Sequence, residues 1–171
     1  MRTIVVEPYD TAWPMAFERI RDWLWPHVSD LALDIVHVGS TSVPGLAAKP
    51  IIDFAIVMES YAVFPALKAR LEALGYEHEG DLGIPTREAF KGGPEGFMEY
   101  HMYVCPQDGP EYCRGLLFRD WLRAHDGDRD AYADLKRKNA ERYPHDIDAY
   151  IEGKSDFVEG ILKKCTSTPS A

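Results

Sequence analysis

Gly39-Ser40-Thr41-Ser42 and the carboxylate of Asp53 are the residues in this 171-residue chain whose types and spacing suit chemistry. Small residues leave backbone N–H groups accessible, and short hydroxyls add donors, so such a turn can ring a phosphate without steric cost. Asp53 sits inside an apolar run, Ile51–Val57. Period-2 alternation places Asp53, Ala55 and Val57 on one face of a strand and Ile52, Phe54 and Ile56 on the other. A carboxylate in such a strand is costly unless a cation or a hydrogen-bond donor meets it. A phosphate-binding turn feeding a strand with an inward acid reads as a metal–phosphate site. In that reading Asp53 is the candidate catalytic and metal-binding carboxylate, and Mg²⁺ the candidate ion, since it suits oxygen ligands and phosphates.

Positive charge for phosphates is available from Lys49, Arg87 and Lys136. Each has a plainer reading. Lys49 precedes Pro50 in an extended stretch and suits a solvated loop, and Lys136-Arg137-Lys138 suits a solvated helix face. The structural alternative pairs Asp53 with Lys49 or Arg87, and Arg119 with an acid of the helical half. His37 and His101 are each candidates for a ligand-binding or a core histidine. On the strand Phe97–Cys105, Glu99, His101 and Tyr103 share the more polar face, which makes Glu99 the candidate second metal ligand.

Other motifs fail on spacing. Pro44 stands where a Walker loop needs its second Gly, and no Gly-Lys-Ser/Thr follows. There is no G-x-G-x-x-G and no G-x-S-x-G. Asp126, Asp128 and Asp130 open like a calcium loop, but Ala131 and Arg137 occupy its Gly and Glu positions, so helix capping is expected instead.

The positioning elements follow from periodicity. Residues 3–6 read as a short strand or extended lead-in. A helix starts near Asp10 or Thr11 with Pro14 in its first turn, carries Trp13, Phe17, Ile20 and Leu24 inward, and is stopped by Pro26. Ser60 caps a helix that ends at Gly75, and strands are expected over 76–78, 86–91 and 97–105. From Pro110 the chain turns helical. One helix reaches about Ala124, a second is capped by Asp128 and closed by Pro144, and a third is capped by Asp146. The class is α/β or α+β, with one domain over residues 1–165 and a disordered tail over 166–171.

Net charge is −9 and the pI about 5.1, so no global basic field exists to attract an extended nucleic acid. Small phosphorylated ligands remain compatible, because a local positive pocket can exist in a negative whole. Cys105, Cys113 and Cys165 form no C-x-x-C pair and read as free thiols. No apolar run is long enough for a bilayer and no signal sequence is apparent, so a cytoplasmic location without membrane partners is expected.

A Gly-Ser turn followed by a strand carboxylate resembles the nucleotidyltransferase superfamily typified by DNA polymerase beta. There the turn holds a triphosphate, the strand presents Asp-x-Asp or Asp-x-Glu to two divalent ions, and a neighbouring strand adds a third acid. The longer stretch from His37 to Asp53, HVGSTSVPGLAAKPIID, resembles the signature of the GrpB family. Pro8-Tyr9 with Trp13, Gly83-Ile84-Pro85, His101, Phe118–Arg123, Leu135-Lys136 and Tyr150 with Lys154 and Phe157 extend the likeness over about Val5 to Lys164. It implies a nucleotidyltransferase-like fold, a short mixed sheet with flanking helices and a helical C-terminal third. It also implies a phosphorylated ligand, a nucleotide with a divalent metal, and possible nucleotidyl transfer. Two positions depart from the pattern. Many relatives carry an acid where Ala55 stands, and His-Leu-His-Val where this chain has His101-Met102-Tyr103-Val104. The alternative expectation is therefore a phospholigand-binding or regulatory module, or a protein-interaction domain, that lacks catalysis.

Overall fold

The computed structural model describes residues 2–167. Its centre is a five-stranded mixed sheet. The strands are β1 (Asp34–Val38), β2 (Ile52–Met58), β3 (Tyr76–Gly80), β4 (Glu88–Gly92) and β5 (Tyr100–Pro106). Their order is β1-β2-β5-β4-β3, and β2–β5 is the one parallel pair. The alternation expected for β2 holds: Ile52, Phe54, Ile56 and Met58 are buried in the main core. They pack there with Trp13, Ile20, Leu24 and Val28 of α1 (Ala12–Val28) and with Leu67 and Leu71 of α2 (Phe64–Ala73). Asp53 and Ala55 face the other way.

Local chemistry accounts for the element ends. Asp10 Oδ1 accepts the N–H of Ala12 at the start of α1. The helix does not stop at Pro26 but runs on to Val28, closed by the Ser29 N–H on the Trp25 carbonyl. Pro26 is exposed in the last turn, where it forfeits one hydrogen bond while Val28 still reaches the core. Ser60 accepts the Ala62 N–H in a 3₁₀ turn that feeds α2, and Gly75, at φ +95°, turns the chain out of it. Residues 3–6 form no strand. This lead-in is held by an isolated bridge between Glu7 and Ala48 and by the Ile4 N–H on the Pro144 carbonyl.

The C-terminal third comprises α3 (Pro110–Ala124), α4 (Asp126–Arg142), α5 (Ile147–Glu152) and α6 (Ser155–Ser167). Leu122, Tyr132 and Ala133 bury Val43, Leu46 and Ala47 in a second core, which lies under the loop between β1 and β2. Asp128 does not cap α4, which begins two residues earlier. Its carboxylate instead accepts Trp121 Nε1 at 2.8 Å and Lys164 Nζ at 3.0 Å, bonds that hold three helices together. The expected third helix is two, broken at Gly153-Lys154; Asp146 does cap the first of them, accepting the Ala149 N–H. Thr166 and Ser167 belong to α6, and the rest of the expected disordered tail, 168–171, lies outside the described residues. Phe54 is fully buried at the centre of the main core. Phe54→Ala is expected to cost about 3–5 kcal/mol in denaturant unfolding.

Candidate functional site

The β1–β2 register places Val38 opposite Asp53, so Gly39 lies directly beside the carboxylate. A Cβ on Gly39 would fall 2.7 Å from Asp53 Oδ2. Gly39 also holds φ +71° and ψ −174°, a region open essentially to glycine alone. The turn that follows, Ser40–Ser42, is one 3₁₀ turn. Its three hydroxyls part company. Ser40 and Thr41 line a cavity of about 480 Å³ on the Asp53 face of the sheet. Ser42 is buried and donates to the Gly39 carbonyl, which braces the turn.

The same cavity brings together Gly39, Lys49, Asp53, Arg87, His101 and Lys136. Asp53 is paired with neither Lys49 nor Arg87. His101, its cross-strand neighbour on β5, donates from Nδ1 to Asp53 Oδ1 at 2.9 Å. That bond is the main reason the imidazole is held above its usual range, with the Asp53 charge adding to it. Glu99 is not among the lining residues. It is ion-paired with Arg2 at 2.7 Å, a partner 97 positions away. His37 is a core histidine: it stacks on Phe17 and shares a hydrogen bond with Thr41 Oγ1. Burial pushes it down to about 4, so it is neutral at physiological pH. Arg119 bonds Asp120 and the His37 carbonyl, bracing β1 from α3.

Residues that the sequence reading does not assign to the site complete the lining. Lys154, in the turn between α5 and α6, Tyr150 of α5 and Tyr103 of β5 all face the cavity. Lys154 and Tyr150 carried a signal in their four-residue spacing, but nothing local told which way they point. Four cations, Lys49, Arg87, Lys136 and Lys154, thus meet two carboxylates, Asp53 and Glu111. None of the four makes an ion pair among the described residues. On the outer surface, by contrast, Arg70–Asp30, Arg21–Asp34 and Arg114–Glu159 do. Aromatic faces hold these cations instead. Arg87 lies 4.4 Å over Tyr103, Lys136 lies 4.7 Å from Tyr132, and Lys49 and Lys154 lie 5.4 and 4.7 Å from Tyr150. Arg87 Nε is buried without a hydrogen-bond partner.

Lys136 is the extreme case. It is 1% exposed, and its Nζ donates to Ser40 Oγ at 2.9 Å. Burial, then the charges of Lys154 and Lys49, pushes its amine down to about 6; burial, then the charge of Lys49, brings Lys154 down to about 8. The site therefore stores positive charge that is only partly expressed while no anion is present.

The donor set does not fit a two-metal centre. Ala55 cannot ligate, and Asp53 Oδ1 already accepts from His101. Glu99 is engaged by Arg2, and no trio of His, Cys, Asp or Glu able to hold an ion exists among the described residues. Amines and a guanidinium line the cavity where a pair of divalent ions would need acids.

Two outcomes test this geometry. Gly39→Ala is expected to lose about 1–3 kcal/mol, because it meets both backbone strain and the Asp53 oxygen; denaturant unfolding reads it. Lys136 is neutral in both states above its ordinary 10.5. Between 10.5 and about 6 the unfolded chain binds a proton that the folded chain refuses, so stability falls as pH falls through that window. Lys136→Met is expected to unfold at higher denaturant than the parent at pH 7, with the gap closing by pH 10.5.

Comparison with known proteins agrees with this architecture. A family model described as GrpB protein matches residues 3–164. UPF0157 protein BH1888 of Halalkalibacterium halodurans is 38% identical over 170 residues, covering 97% of this chain and 84% of that protein. Some relatives are longer. The match covers 92% of this chain but 46% of YqkA of Bacillus subtilis, at 36% identity. It likewise covers 92% of this chain but 44% of a dephospho-CoA kinase of Mycolicibacterium paratuberculosis, at 32% identity. The crystal structure of GrpB from Enterococcus faecalis superposes with a TM-score of 0.81 at 34% identity, covering 94% of this chain and 96% of that one. Cid1 poly(U) polymerase, a nucleotidyltransferase, superposes at 0.57 with 15% identity over 80% of this chain and 45% of its own, a likeness of fold alone. By sequence over nearly its whole length, and by a mixed sheet with the nucleotidyltransferase-like arrangement, the chain belongs to the GrpB family.

Proposed function

We propose that this protein binds a phosphorylated small molecule, of the nucleotide class, in the cavity between the Gly39-Ser40-Thr41 turn and α4. The observation that carries the reading is the group of four cations without carboxylate partners, gathered over hydroxyl donors in a chain of net charge −9. A di- or triphosphate supplies the missing counter-charge. Ser40 and the backbone of its turn meet its oxygens. Lys136 and Lys154 add charge from the helical side, and Arg87 reaches it with the Nε that has no protein partner. The nucleotidyltransferase-like fold supports the nucleotide class, and the name of the longer mycobacterial relative is that of an enzyme of phosphate chemistry.

Binding in this reading does not rest on a caged metal. A magnesium ion, where present, arrives with the phosphates and uses Asp53 as one ligand. Nucleotidyl transfer by two ions asks for acids that the site lacks, so ligand binding without that reaction is the function that this donor set supports best.

The test is thermal unfolding with pyrophosphate and with adenosine triphosphate, each in EDTA and in Mg²⁺. At a hundred times the dissociation constant the expected gain is about 2.7 kcal/mol. It should persist in EDTA and disappear in Lys136→Met and Arg87→Ala. Absence of any gain from phosphorylated ligands would overturn the reading. So would a gain seen only with Mg²⁺ and abolished by Asp53→Asn, which would restore the metal-centred account.

A further inference from the structure

We infer that the ligand of this site carries an aliphatic arm, which lies in a second cavity between the N-terminal lead-in and α5. This rests on the phosphate-binding reading and adds an apolar arm to its nucleotide-class, phosphorylated head. The second cavity measures about 490 Å³, within the usual range for small-molecule sites. Thr3, Ile4, Val5, Pro50, Ile51 and Ile147 form its walls, with Arg2, Glu7 and His145 as polar members.

Three observations connect it to the phosphate site. Lys49 and Ile51 line both cavities. Helix α5 flanks both, with Ile147 in one and Tyr150 and Ile151 in the other. Val5, Ile147 and Ile151 stand exposed at 51%, 43% and 51%, so aliphatic side chains face solvent on this rim. Their exposure is unfavourable, by about 25 cal/mol for each Å² of apolar surface that a ligand would cover.

The walls are also held in place. Arg2 is ion-paired to Glu99, the Ile4 N–H bonds the Pro144 carbonyl, and Glu7 and Ala48 exchange backbone hydrogen bonds. The Arg2–Glu99 pair thereby gains a role: it fastens the first wall to the strand beside the site. The nature of the walls selects the arm. Of the rings that stack on bases, this lining offers the His145 imidazole but no Phe, Tyr or Trp, and the rest of its apolar wall is aliphatic. Branched aliphatic walls suit a flexible hydrocarbon chain. Lys49, at the junction, lines both cavities and has its amine over the Tyr150 ring, which suits the point where a charged head joins an apolar arm.

Calorimetric titration of the full chain with pyrophosphate, hexyl diphosphate and adenosine diphosphate tests this. Hexyl diphosphate is expected to bind at least about tenfold more tightly than pyrophosphate. Ile147→Asn and Val5→Asn, both at exposed positions and neutral, should erase that gain and leave pyrophosphate affinity unchanged. If pyrophosphate binds and the hexyl chain adds nothing, the arm is wrong and the phosphate site stands. A hexyl gain that survives both substitutions also overturns the arm. So does an equal gain from adenosine that is lost in the same variants, since the cavity would then be a base site. If no diphosphate binds, the phosphate reading fails and the arm with it.

Discussion

A buried lysine without a carboxylate partner is the constraint around which this site is arranged. Lys136 bonds Ser40 and lies against the Tyr132 ring, within the fields of Lys49 and Lys154, and the negative charge that acts on it is that of Asp53. A buried ammonium left this way is expensive, and the folded chain lowers the expense by leaving the amine largely neutral. Such a group reduces stability at neutral pH. Its neighbours sharpen the cost, because each further amine raises the work of charging the first. An anion relieves all of them at once.

The scaffold keeps that arrangement from collapsing. Gly39 permits the close approach that sets Asp53 against the turn, and Ser42 and His37 brace the turn from inside. Arg123 binds the Ser42 carbonyl through Nε and Nη2, and Arg119 binds the His37 carbonyl, so α3 grips the β1 end of the site from outside. His101 occupies Asp53 and keeps it from neutralising a lysine directly. The acid is then a local counterweight that keeps the amines within reach of one another. Two cores support the two sides: the sheet with α1 and α2, and the loop 43–47 with α3, α4 and α6.

Much of this was legible in the sequence where the signal is local. The period-2 pattern of Ile52–Met58 correctly turned Asp53 away from the core, and the Gly-Ser-Thr turn was visible from residue types alone. The strands and most helices followed from spacing and capping residues. What was not legible depends on partners far along the chain. Glu99 is expected on the site face of a strand over 97–105, yet β5 begins only at Tyr100 and a salt bridge to Arg2 holds Glu99 just before it. Ser42 carries the same hydroxyl as Ser40, but two residues further around the 3₁₀ turn it points inward. Lys136 stands in a run that resembles a solvated helix face, and only the packing of α4 over the turn shows it buried. Pro26 and Asp128 were misread because a rule for helix ends was applied where tertiary contacts decide.

The central claim is that an anion completes the charge of this lysine cluster, and proton uptake on binding tests it most directly. Titrating pyrophosphate into the protein at pH 7.5 in buffers of different ionisation enthalpy reports the protons exchanged. With Lys136 held near 6 and Lys154 near 8 before binding, the account predicts an uptake of about one proton, largely lost in Lys136→Met. Binding with no proton taken up, or with the same uptake in Lys136→Met, would contradict it.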